Sequence, residues 1–232
     1  MFIFWNEVVL PLLRKKKVRR LVEIGALDGQ NTRQLLAYCH EANGKLLVID
    51  PGVFPPWEEF KTEYQGRFNY LRDYSLHVLP ELRDYDAVFI DGDHNWFTVY
   101  HELKAIEREA LRSGKFPLVF LHDIDWPYGR RDLYYFPETV PPAFRHPYAR
   151  LGIVRGLSSL VPEGGVNAGS YHALHEFGPR NGVMTAVEDF LAETKLAISF
   201  HSTPYHHGLG LLAPKDKKFD ADAIELFLKY KG

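Results

Sequence analysis

The chain has 232 residues, a length that suits one domain with an insertion better than two domains. Its 28 basic and 30 acidic side chains nearly cancel, which excludes the positive field typical of proteins that bind nucleic acid or anionic membranes. The single cysteine, Cys39, has no partner for an internal disulfide. We therefore expect a cytoplasmic protein of one domain, residues 1–232, that binds a small molecule.

The first 17 residues predict a helix that packs on this domain. An apolar stretch, Met1–Leu13, precedes a basic one, Arg14–Arg20, whereas a secretory signal has the reverse order. The apolar stretch is also too short to span a bilayer, so we interpret residues 2–16 as an amphipathic helix and expect no membrane partner. The oligomeric state stays open, with a homodimer through this helix or the insertion as the alternative to a monomer.

Short apolar runs alternate with longer amphipathic segments along most of the chain. The runs are too short for helices, rich in β-branched or aromatic residues, and bounded by Gly, Asp or Pro. They predict seven strands, at 20–24, 46–49, 68–71, 87–90, 118–121, 196–201 and 208–212. Helices are predicted at 31–42, 56–65, 75–83, 95–112, 182–194 and 220–230. This alternation predicts a doubly wound α/β fold with a mostly parallel sheet, whose last two strands form an antiparallel pair.

Residues 126–180 interrupt this rhythm after the fifth strand. They are rich in Pro, Gly, Tyr and His and show little periodicity, so we expect a segment that covers the substrate. Its first part places paired arginines among aromatic residues, a combination suited to gripping a carboxylate or phosphate while rings cover an apolar body. The residues expected to contact the substrate here are Trp126, Tyr128, Arg130, Arg131 and Tyr134.

A glycine-bearing loop follows the first strand. Gly25 and Gly29 allow the backbone to turn tightly and to lie close to a ligand, while Asn31 and Thr32 are predicted to cap the helix that follows. The dinucleotide pattern G-x-G-x-x-G is absent because position 27 is Leu. The loop therefore predicts a ligand-binding turn of another type, with Glu23 just before it.

Carboxylates at the next two strand ends strengthen this expectation. Asp50 ends the second strand, where a carboxylate can accept both hydroxyls of a ribose. Asp73 and Ser75 follow the third strand, where we expect the adenine pocket, although Ser75 is equally well explained as a helix N-cap. Together with the glycine loop, these residues predict an adenosyl ligand.

Polar side chains are most concentrated after the fourth and fifth strands. Asp91, Asp93 and His94 follow the fourth strand, and His122 and Asp123 end the fifth. Such groups are costly to gather at buried strand ends unless the protein uses them, and ligands of open α/β sheets bind at this edge. We therefore expect Asp91, His94, His122 and Asp123 to be catalytic and Asp93 to contact the substrate.

The order E-I-G-x-x-x-G, I-D-P, F-I-D-G-D-H and L-H-D resembles the bacterial small-molecule and sugar O-methyltransferases of the "methyltransferase domain 24" type over about residues 18–125. The more distant catechol O-methyltransferases are also similar. The resemblance implies a class I methyltransferase that uses S-adenosylmethionine (SAM), the strand order 3-2-1-4-5-7-6 with the last strand antiparallel, and O-methylation in natural-product metabolism. The implied SAM contacts are Glu23, Gly25, Gly29, Asn31, Thr32, Asp50, Asp73, Ser75 and Asp91.

In these relatives a divalent ion is held by an Asp after strand four and an acidic or amide pair after strand five. The matching positions here are Asp91, His122 and Asp123, and His122 departs from the Asp or Glu that metal-dependent relatives prefer. Oxygen ligands alone would suit Mg²⁺, whereas an imidazole favours Mn²⁺, Fe²⁺ or Zn²⁺. The alternative is a reaction without metal, in which His94 or His122 removes the acceptor's proton.

Other functions fit parts of the pattern. Methylation on nitrogen or carbon needs no change to the SAM site. An NAD-dependent oxidoreductase would share the fold, but this sequence lacks the glycine pattern of such enzymes. An iron-dependent oxygenase using His94 and His122 would normally have a different fold. A binding protein derived from an inactive methyltransferase would not need the polar cluster after strands four and five.

Overall fold

The computed structural model describes residues 1–53 and 56–230. Within these residues ten strands are formed: β1 Arg20–Ile24, β2 Lys45–Ile49, β3 Phe68–Leu71, β4 Ala87–Ile90, β5 Leu118–His122, β6 Leu133–Tyr134, β7 Tyr148–Arg150, β8 Tyr171–Ala173, β9 Ile198–Thr203 and β10 Leu209–Pro214. The α-helices are α1 Leu10–Lys16, α2 Gln30–Ala42, α3 Trp57–Glu63, α4 Ser75–Val78, α5 Trp96–Ser113, α6 Val183–Glu193 and α7 Lys217–Leu228.

Seven of the strands form one sheet in the order β3-β2-β1-β4-β5-β10-β9. The strands β1 to β5 run parallel, and β10 is antiparallel to both of its neighbours. The predicted fold class and the order 3-2-1-4-5-7-6 are therefore confirmed. Because the parallel strands end at one edge, the loops after β1, β2, β4 and β5 meet there.

Helices cover both faces of this sheet because its central strands are apolar on both sides. Val88 points to the layer that contains α5 and α6, whereas Phe89 points to the layer that contains α1, α2 and α7. The ring of Phe89 stacks on that of Phe120 in the neighbouring strand, with 4.9 Å between centroids. Burial of each such side chain contributes about 1.5–3 kcal/mol to stability, so this core fixes the strand ends that carry the site.

The N-terminal segment packs on the sheet, but it is not the continuous helix predicted over residues 2–16. A 3₁₀ turn at Phe2–Phe4 and a π-helix at Trp5–Val9 precede α1. The physical reason is Pro11, whose nitrogen carries no hydrogen and therefore interrupts the helical hydrogen-bond ladder. Phe4, Leu12 and Leu13 are fully buried in the core.

A second proline shortens another predicted helix. The helix expected over residues 75–83 ends at Val78 and gives way to a 3₁₀ turn at Leu79–Glu81, because Pro80 cannot continue the ladder. Among the described residues, no helix is long and apolar enough to cross a membrane.

The insertion at residues 126–180 has secondary structure that its sequence did not predict. Its strands form a second, antiparallel sheet in the order β6-β8-β7. Two contacts attach this sheet to the loop after β4: the Leu133 amide donates to the His94 carbonyl at 3.2 Å, and the buried carboxylate of Asp132 accepts from the Trp96 amide at 2.7 Å. The same carboxylate accepts from the Gly182 amide at 2.7 Å. The start of the insertion is therefore fixed to the main domain.

Candidate active site

The loop after β1 lies directly against the end of β4. A Cβ atom at Gly25 would come within 2.4 Å of the Asp91 carbonyl oxygen and of the Gly92 Cα. Gly25 also has a φ of +83°, which side chains rarely adopt, so glycine is required at this position for two reasons. The loop continues through Leu27, whose side chain is 85% exposed, to Gly29 at the start of α2.

Asn31 and Thr32 do not cap α2, which corrects the prediction. The N-cap position is Gly29, which has no side chain, and the first helical amide, that of Gln30, donates to Asp28 Oδ1 at 3.2 Å. Instead, Asn31 Nδ2 donates to Glu23 Oε1 at 2.8 Å and Thr32 Oγ1 donates to Glu23 Oε2 at 2.6 Å. Both residues therefore satisfy a buried carboxyl group. Burial outweighs these hydrogen bonds and raises the pKa of Glu23 to about 7.

Asp50 joins the loops that follow β1 and β2. Its Oδ2 accepts from the Ala26 amide and its Oδ1 from the Gly52 amide, both at 2.8 Å. A carboxylate has about four acceptor positions, so two remain for another ligand. The side chain is therefore held in place by the backbone and keeps the capacity expected of a ribose acceptor.

The residues after β3 are arranged differently from the N-cap alternative. Ser75 is the first residue of α4, its N-cap is Tyr74, and the Ser75 hydroxyl donates to Glu102 Oε1 at 2.5 Å. Asp73 is exposed and lies 2.9 Å from His77 Nδ1, a contact that lowers the Asp73 pKa. Glu102 is fully buried on α5, and burial raises its pKa to about 8.

The ends of β4 and β5 bring two carboxylates and two imidazoles together. His94 Nε2 lies 2.8 Å from Asp123 Oδ2, and His122 Nδ1 lies 2.9 Å from the same oxygen. The distance from His122 Nδ1 to Asp91 Oδ1 is 3.4 Å. The structure therefore places all four residues predicted to be catalytic in one cluster, which we call the acceptor cluster (Asp91, His94, His122 and Asp123).

Electrostatic pairing in the acceptor cluster overcomes the effect of burial. Burial alone would raise the pKa of Asp123, but His94 and His122 hold it well below its ordinary value. Burial alone would lower the pKa of His122, yet hydrogen bonds to Asp123 and Asp91 raise it to about 9. The pKa of His94 is also raised, chiefly by Asp123 acting against burial. Asp123 and the two imidazoles therefore stabilise one another's charged forms.

Three members of the acceptor cluster fit a divalent metal ion. Asp91, His122 and Asp123 each offer one ligand atom, and these atoms all lie within 4.8 Å of one another. Two oxygens and one nitrogen form a donor set that suits ions such as Mn²⁺ as well as Mg²⁺. His94 then acts as the hydrogen-bonded neighbour of a ligand, an arrangement common around protein metal sites.

Asp93 is hydrogen-bonded within the turn between β4 and α5. Its Oδ2 accepts from Asn95 Nδ2 at 2.6 Å and from the Thr98 hydroxyl at 2.8 Å, while its Oδ1 accepts from the His94 amide at 3.1 Å. These bonds fix the turn. The predicted contact between Asp93 and a substrate stays a prediction.

The two predicted arginines differ in their availability. Arg131 is 1% exposed and donates to the carbonyl oxygens of Ala173 and Ser158 at 2.5 and 2.6 Å, so it holds the insertion together, which corrects its assignment as a substrate contact. Arg130 forms a bidentate pair with Glu188 on α6, at 2.5 and 2.7 Å, and joins the insertion to that helix. A substrate contact of Arg130 stays a prediction.

The three aromatic residues predicted to contact the substrate lie in different places. Tyr134 is 1% exposed and donates to Asp132 at 2.7 Å, so it belongs to the interior. Tyr128 lies against the acceptor cluster, with its ring centroid 5.2 Å from that of His94. Trp126 lies beneath the Arg155 guanidinium, 4.9 Å from the ring centroid. Of the three predicted aromatic contacts, the structure places Tyr128 beside the acceptor cluster and Tyr134 away from it.

The N-terminal segment also reaches the acceptor cluster, which sequence reasoning missed. The Met1 nitrogen lies 3.3 Å from Asp91 Oδ2, and the Phe4 ring meets that of His122 edge-on at 6.2 Å. The apolar character of Phe4 predicted that this residue packs on the domain, but nothing in the sequence indicated that it contacts His122.

Comparisons with known proteins agree with this fold. Residues 22–124 match the family Methyltransf_24, described as a methyltransferase domain. The structure of the methyltransferase PaMTH1 from Podospora anserina, bound to S-adenosylhomocysteine (SAH), is similar at a TM-score of 0.54 and 18% identity, covering 88% of this chain and 75% of that one. The 1,6-didemethyltoxoflavin-N1-methyltransferase of Burkholderia thailandensis has a TM-score of 0.52 at 14% identity, covering 91% and 78%. No curated protein sequence matches the chain.

Proposed function

We propose that this protein is a SAM-dependent methyltransferase that methylates the hydroxyl oxygen of a small molecule, because residues 22–124 match a methyltransferase-domain family. The observation that carries the proposal is the acceptor cluster, in which His94 and His122 both lie within 3 Å of one Asp123 oxygen. It lies beside the glycine loop, at the edge where ligands of this fold bind. A role in natural-product metabolism accords with a small acceptor.

The ends of β1, β2 and β3 provide the SAM site in this proposal. Asp50 accepts the ribose hydroxyls with its two remaining acceptor positions, and the backbone turn through Gly25 and Gly29 borders the methionine part. Glu23, with Asn31 and Thr32, supports the loop from beneath. Asp73 and Ser75 border the adenine, and Asp91 lies between the two ligands.

Methyl transfer is a direct displacement at the sulfonium carbon. The acceptor oxygen forms the new bond to the methyl carbon, the carbon–sulfur bond breaks, and its electron pair stays on sulfur to give SAH. The protein has to hold the acceptor oxygen about 3 Å from the methyl carbon and receive its proton. We assign the proton to His94, which Asp123 orients through the 2.8 Å contact.

The same proposal includes a divalent metal ion at Asp91, His122 and Asp123. When bound, such an ion lowers the pKa of an acceptor hydroxyl and orients it. These three residues would hold it because their ligand atoms already converge. Mn²⁺ and Mg²⁺ are the ions to test, since the donor set mixes carboxylate oxygens with an imidazole nitrogen.

Methylation on nitrogen is the second candidate. A structural neighbour is described as an N1-methyltransferase bound to its substrate and SAH, and its similarity to this chain is one of fold. An amine or ring nitrogen would place the same demand on His94 for proton removal.

Calorimetric titration with SAH tests the proposal directly. We expect micromolar binding to protein stripped with EDTA, and a separate heat when Mn²⁺ or Mg²⁺ is added to the SAH complex. Failure of SAH to bind in every condition would overturn the methyltransferase assignment. Binding of SAH without any metal heat would leave the assignment standing and remove the metal from it.

A further inference from the structure

The face of the sheet that packs on α5 is incompletely covered at β2 and β3. The chain between β3 and β4 packs on this face, but it holds only α4 and the 3₁₀ turn at Leu79–Glu81, because Pro80 ends the helix early. Leu47 of β2 is only half-buried, and its register partner Asn69 on β3 is exposed. A surface groove of about 390 Å³ lies here, and this volume falls within the range of small-molecule sites.

Three cations lie side by side in this groove, at the amino ends of three neighbouring strands. Arg20 of β1 and Lys45 of β2 are register partners, and Arg67 directly precedes β3, where its carbonyl accepts from the Leu46 amide at 2.7 Å. Side chains alternate between the two faces along a strand, so Lys45 lies on the same face as Leu47. These three residues, which we call the cation row (Arg20, Lys45 and Arg67), therefore border the apolar part of the groove.

Nearby carboxylates offset little of the charge of the cation row. Within the part of the chain that the structure describes, Lys45 and Arg67 form no ion pair. Arg20 lies 3.6 Å from Asp86 and 3.9 Å from Asp84, distances longer than those of hydrogen-bonded pairs. Of the described residues that line the groove, four are basic and one is acidic, although the whole chain has a net charge of -2. The groove is therefore suited to an anion.

A buried hydroxyl group among the residues that line the groove has no partner. Tyr85 is 6% exposed, and within the described residues its hydroxyl forms no hydrogen bond. Unpaired buried polar groups are rare in folded proteins, and a ligand that supplies the missing partner accounts for this one. Burial raises the pKa of the Tyr85 hydroxyl, so this group is a hydrogen-bond donor at neutral pH.

We propose that this groove binds a small phosphate monoester that carries an apolar group. The cation row holds the phosphate, because a monoester carries nearly two negative charges at neutral pH and guanidinium groups bind phosphate oxygens in pairs. The Tyr85 hydroxyl donates to a phosphate oxygen. The apolar group covers Leu47 and Leu82, which line the groove and are half-buried. Their burial by the ligand adds to the affinity that the charges supply.

This groove is separate from the site proposed for methyl transfer. The cation row lies at the amino ends of the parallel strands, whereas the acceptor cluster lies at the carboxyl ends of β4 and β5. The length of β1, from Arg20 to Ile24, corresponds to about 13 Å. A ligand in the groove leaves the acceptor cluster free, so its binding is independent of the proposed function.

Calorimetric titration with hexyl phosphate tests the groove. Inorganic phosphate and 1-hexanol serve as probes that carry only the charged head or only the apolar chain. We expect hexyl phosphate to bind with a Kd on the order of 0.1 mM, and each partial probe to bind weaker by roughly tenfold or more. Burial of about two methylene groups supplies a factor of that size for the chain.

Two substitutions remove one proposed phosphate contact each. Lys45→Gln removes a cation, and Tyr85→Phe removes the unpaired hydroxyl; each should weaken hexyl phosphate by roughly three- to tenfold. Urea unfolding shows that each variant is folded, and Tyr85→Phe should be at least as stable as the wild type, because its hydroxyl has no partner to lose. The matched control is Lys195→Gln, an exposed lysine between α6 and β9, which should bind hexyl phosphate as the wild type does.

Three results would overturn the assignment of this groove, and none of them touches the methyltransferase assignment. The first is a wild-type protein that does not bind hexyl phosphate. The second is inorganic phosphate or 1-hexanol binding as tightly as hexyl phosphate, since one half of the groove would then have no role. The third is a Lys45→Gln or Tyr85→Phe protein that binds like the wild type, or a Lys195→Gln protein that loses affinity equally.

Discussion

Two parts of the same sheet edge handle buried carboxyl groups in opposite ways. On the side that we propose binds the cofactor, at the ends of β1, β2 and β3, Glu23 and the Ser75 partner Glu102 of α5 have pKa values raised to about 7 and about 8. On the acceptor side, formed by the ends of β4 and β5, the pKa of Asp123 is lowered. All three groups are buried, so burial alone does not explain the difference.

The partners of each carboxyl explain it. Glu23 and Glu102 are contacted by neutral donors, an amide and hydroxyls, which cannot offset the cost of burying a charge. Asp123 is contacted by two imidazoles, which can carry the opposite charge. The cofactor side is therefore suited to fixing the shape of a loop, and the acceptor side to moving protons or holding a cation.

The strongest test of this difference is Asp123→Asn. Asparagine tolerates the φ of +57° at this position, so the backbone should be preserved while the charge is lost. We expect kcat to fall by roughly a hundredfold or more, because His94 loses the carboxylate that orients it. Methyl-transfer kinetics measure kcat, and SAH titration measures cofactor affinity separately. SAH affinity should change by less than about threefold, because Asp123 lies outside the proposed cofactor site.

The matched control is Asp220→Asn, which removes a carboxylate from an Asp–His pair outside the site. Asp220 lies 3.0 Å from His201 Nε2 and accepts from the Ser199 hydroxyl at 2.9 Å. Its kcat should remain that of the wild type. Equal losses in both variants would show that Asp123 acts only through stability.

Glu102→Gln should remove part of the pH dependence of stability. The unfolded chain releases this proton near its ordinary pKa of 4.5, whereas the folded protein keeps it to about pH 8. Rising pH therefore favours the unfolded state, and the wild type should lose about 2 kcal/mol of unfolding free energy between pH 6 and pH 8 through this group. The glutamine variant stays neutral and should decline less, as measured by urea unfolding at both pH values.

The control for this variant is Glu225→Gln, an exposed position on α7. The unfolding free energy of this variant should fall between pH 6 and pH 8 as much as that of the wild type, including the part of the fall that comes from Glu23. Parallel curves for the wild type and Glu102→Gln would contradict the assignment of a neutral buried carboxyl on the cofactor side.

Asp50→Ala has the smallest expected effect. It removes the acceptor of the Ala26 and Gly52 amides and the proposed acceptor of the ribose hydroxyls. We expect SAH affinity to fall by roughly tenfold. Hydrogen bonds to charged groups contribute about 1.5–3 kcal/mol, and in the variant water restores part of this by bonding to the ribose hydroxyls. Calorimetry measures this, and an unchanged affinity would remove Asp50 from the ribose site.

The sequence was sufficient to predict the sheet and the acceptor cluster. Runs such as Val88–Ile90 are apolar on both faces, which is typical of central parallel strands. Ile90 and Leu121 are register partners in adjacent strands, so the residues that follow them lie side by side. Asp91 and Asp123 are therefore close because β4 and β5 are adjacent parallel strands, and the hydrophobic pattern of the sequence predicts both strands.

The insertion could not be predicted in the same way. Strands of two or three residues are too short to show a period, so nothing in the sequence indicated that Tyr134 is buried and Tyr135 half-exposed. Arg131 has its donors satisfied by distant backbone carbonyls, and such contacts leave no local pattern. Asn31 and Thr32 are residue types that often cap helices. They donate to Glu23 instead because that carboxyl group is buried and needs hydrogen-bond donors.

The position of β10 has a consequence for how the protein emerges from the ribosome. Its residues 209–212 pair with β5, which is synthesised about 90 residues earlier. Until then, the outer edge of β5 presents unpaired amide and carbonyl groups next to the acceptor cluster, which is a template for pairing with another chain. We expect nascent chains that stop before β10 to depend on chaperones, because the apolar strand β5 is left as an open edge.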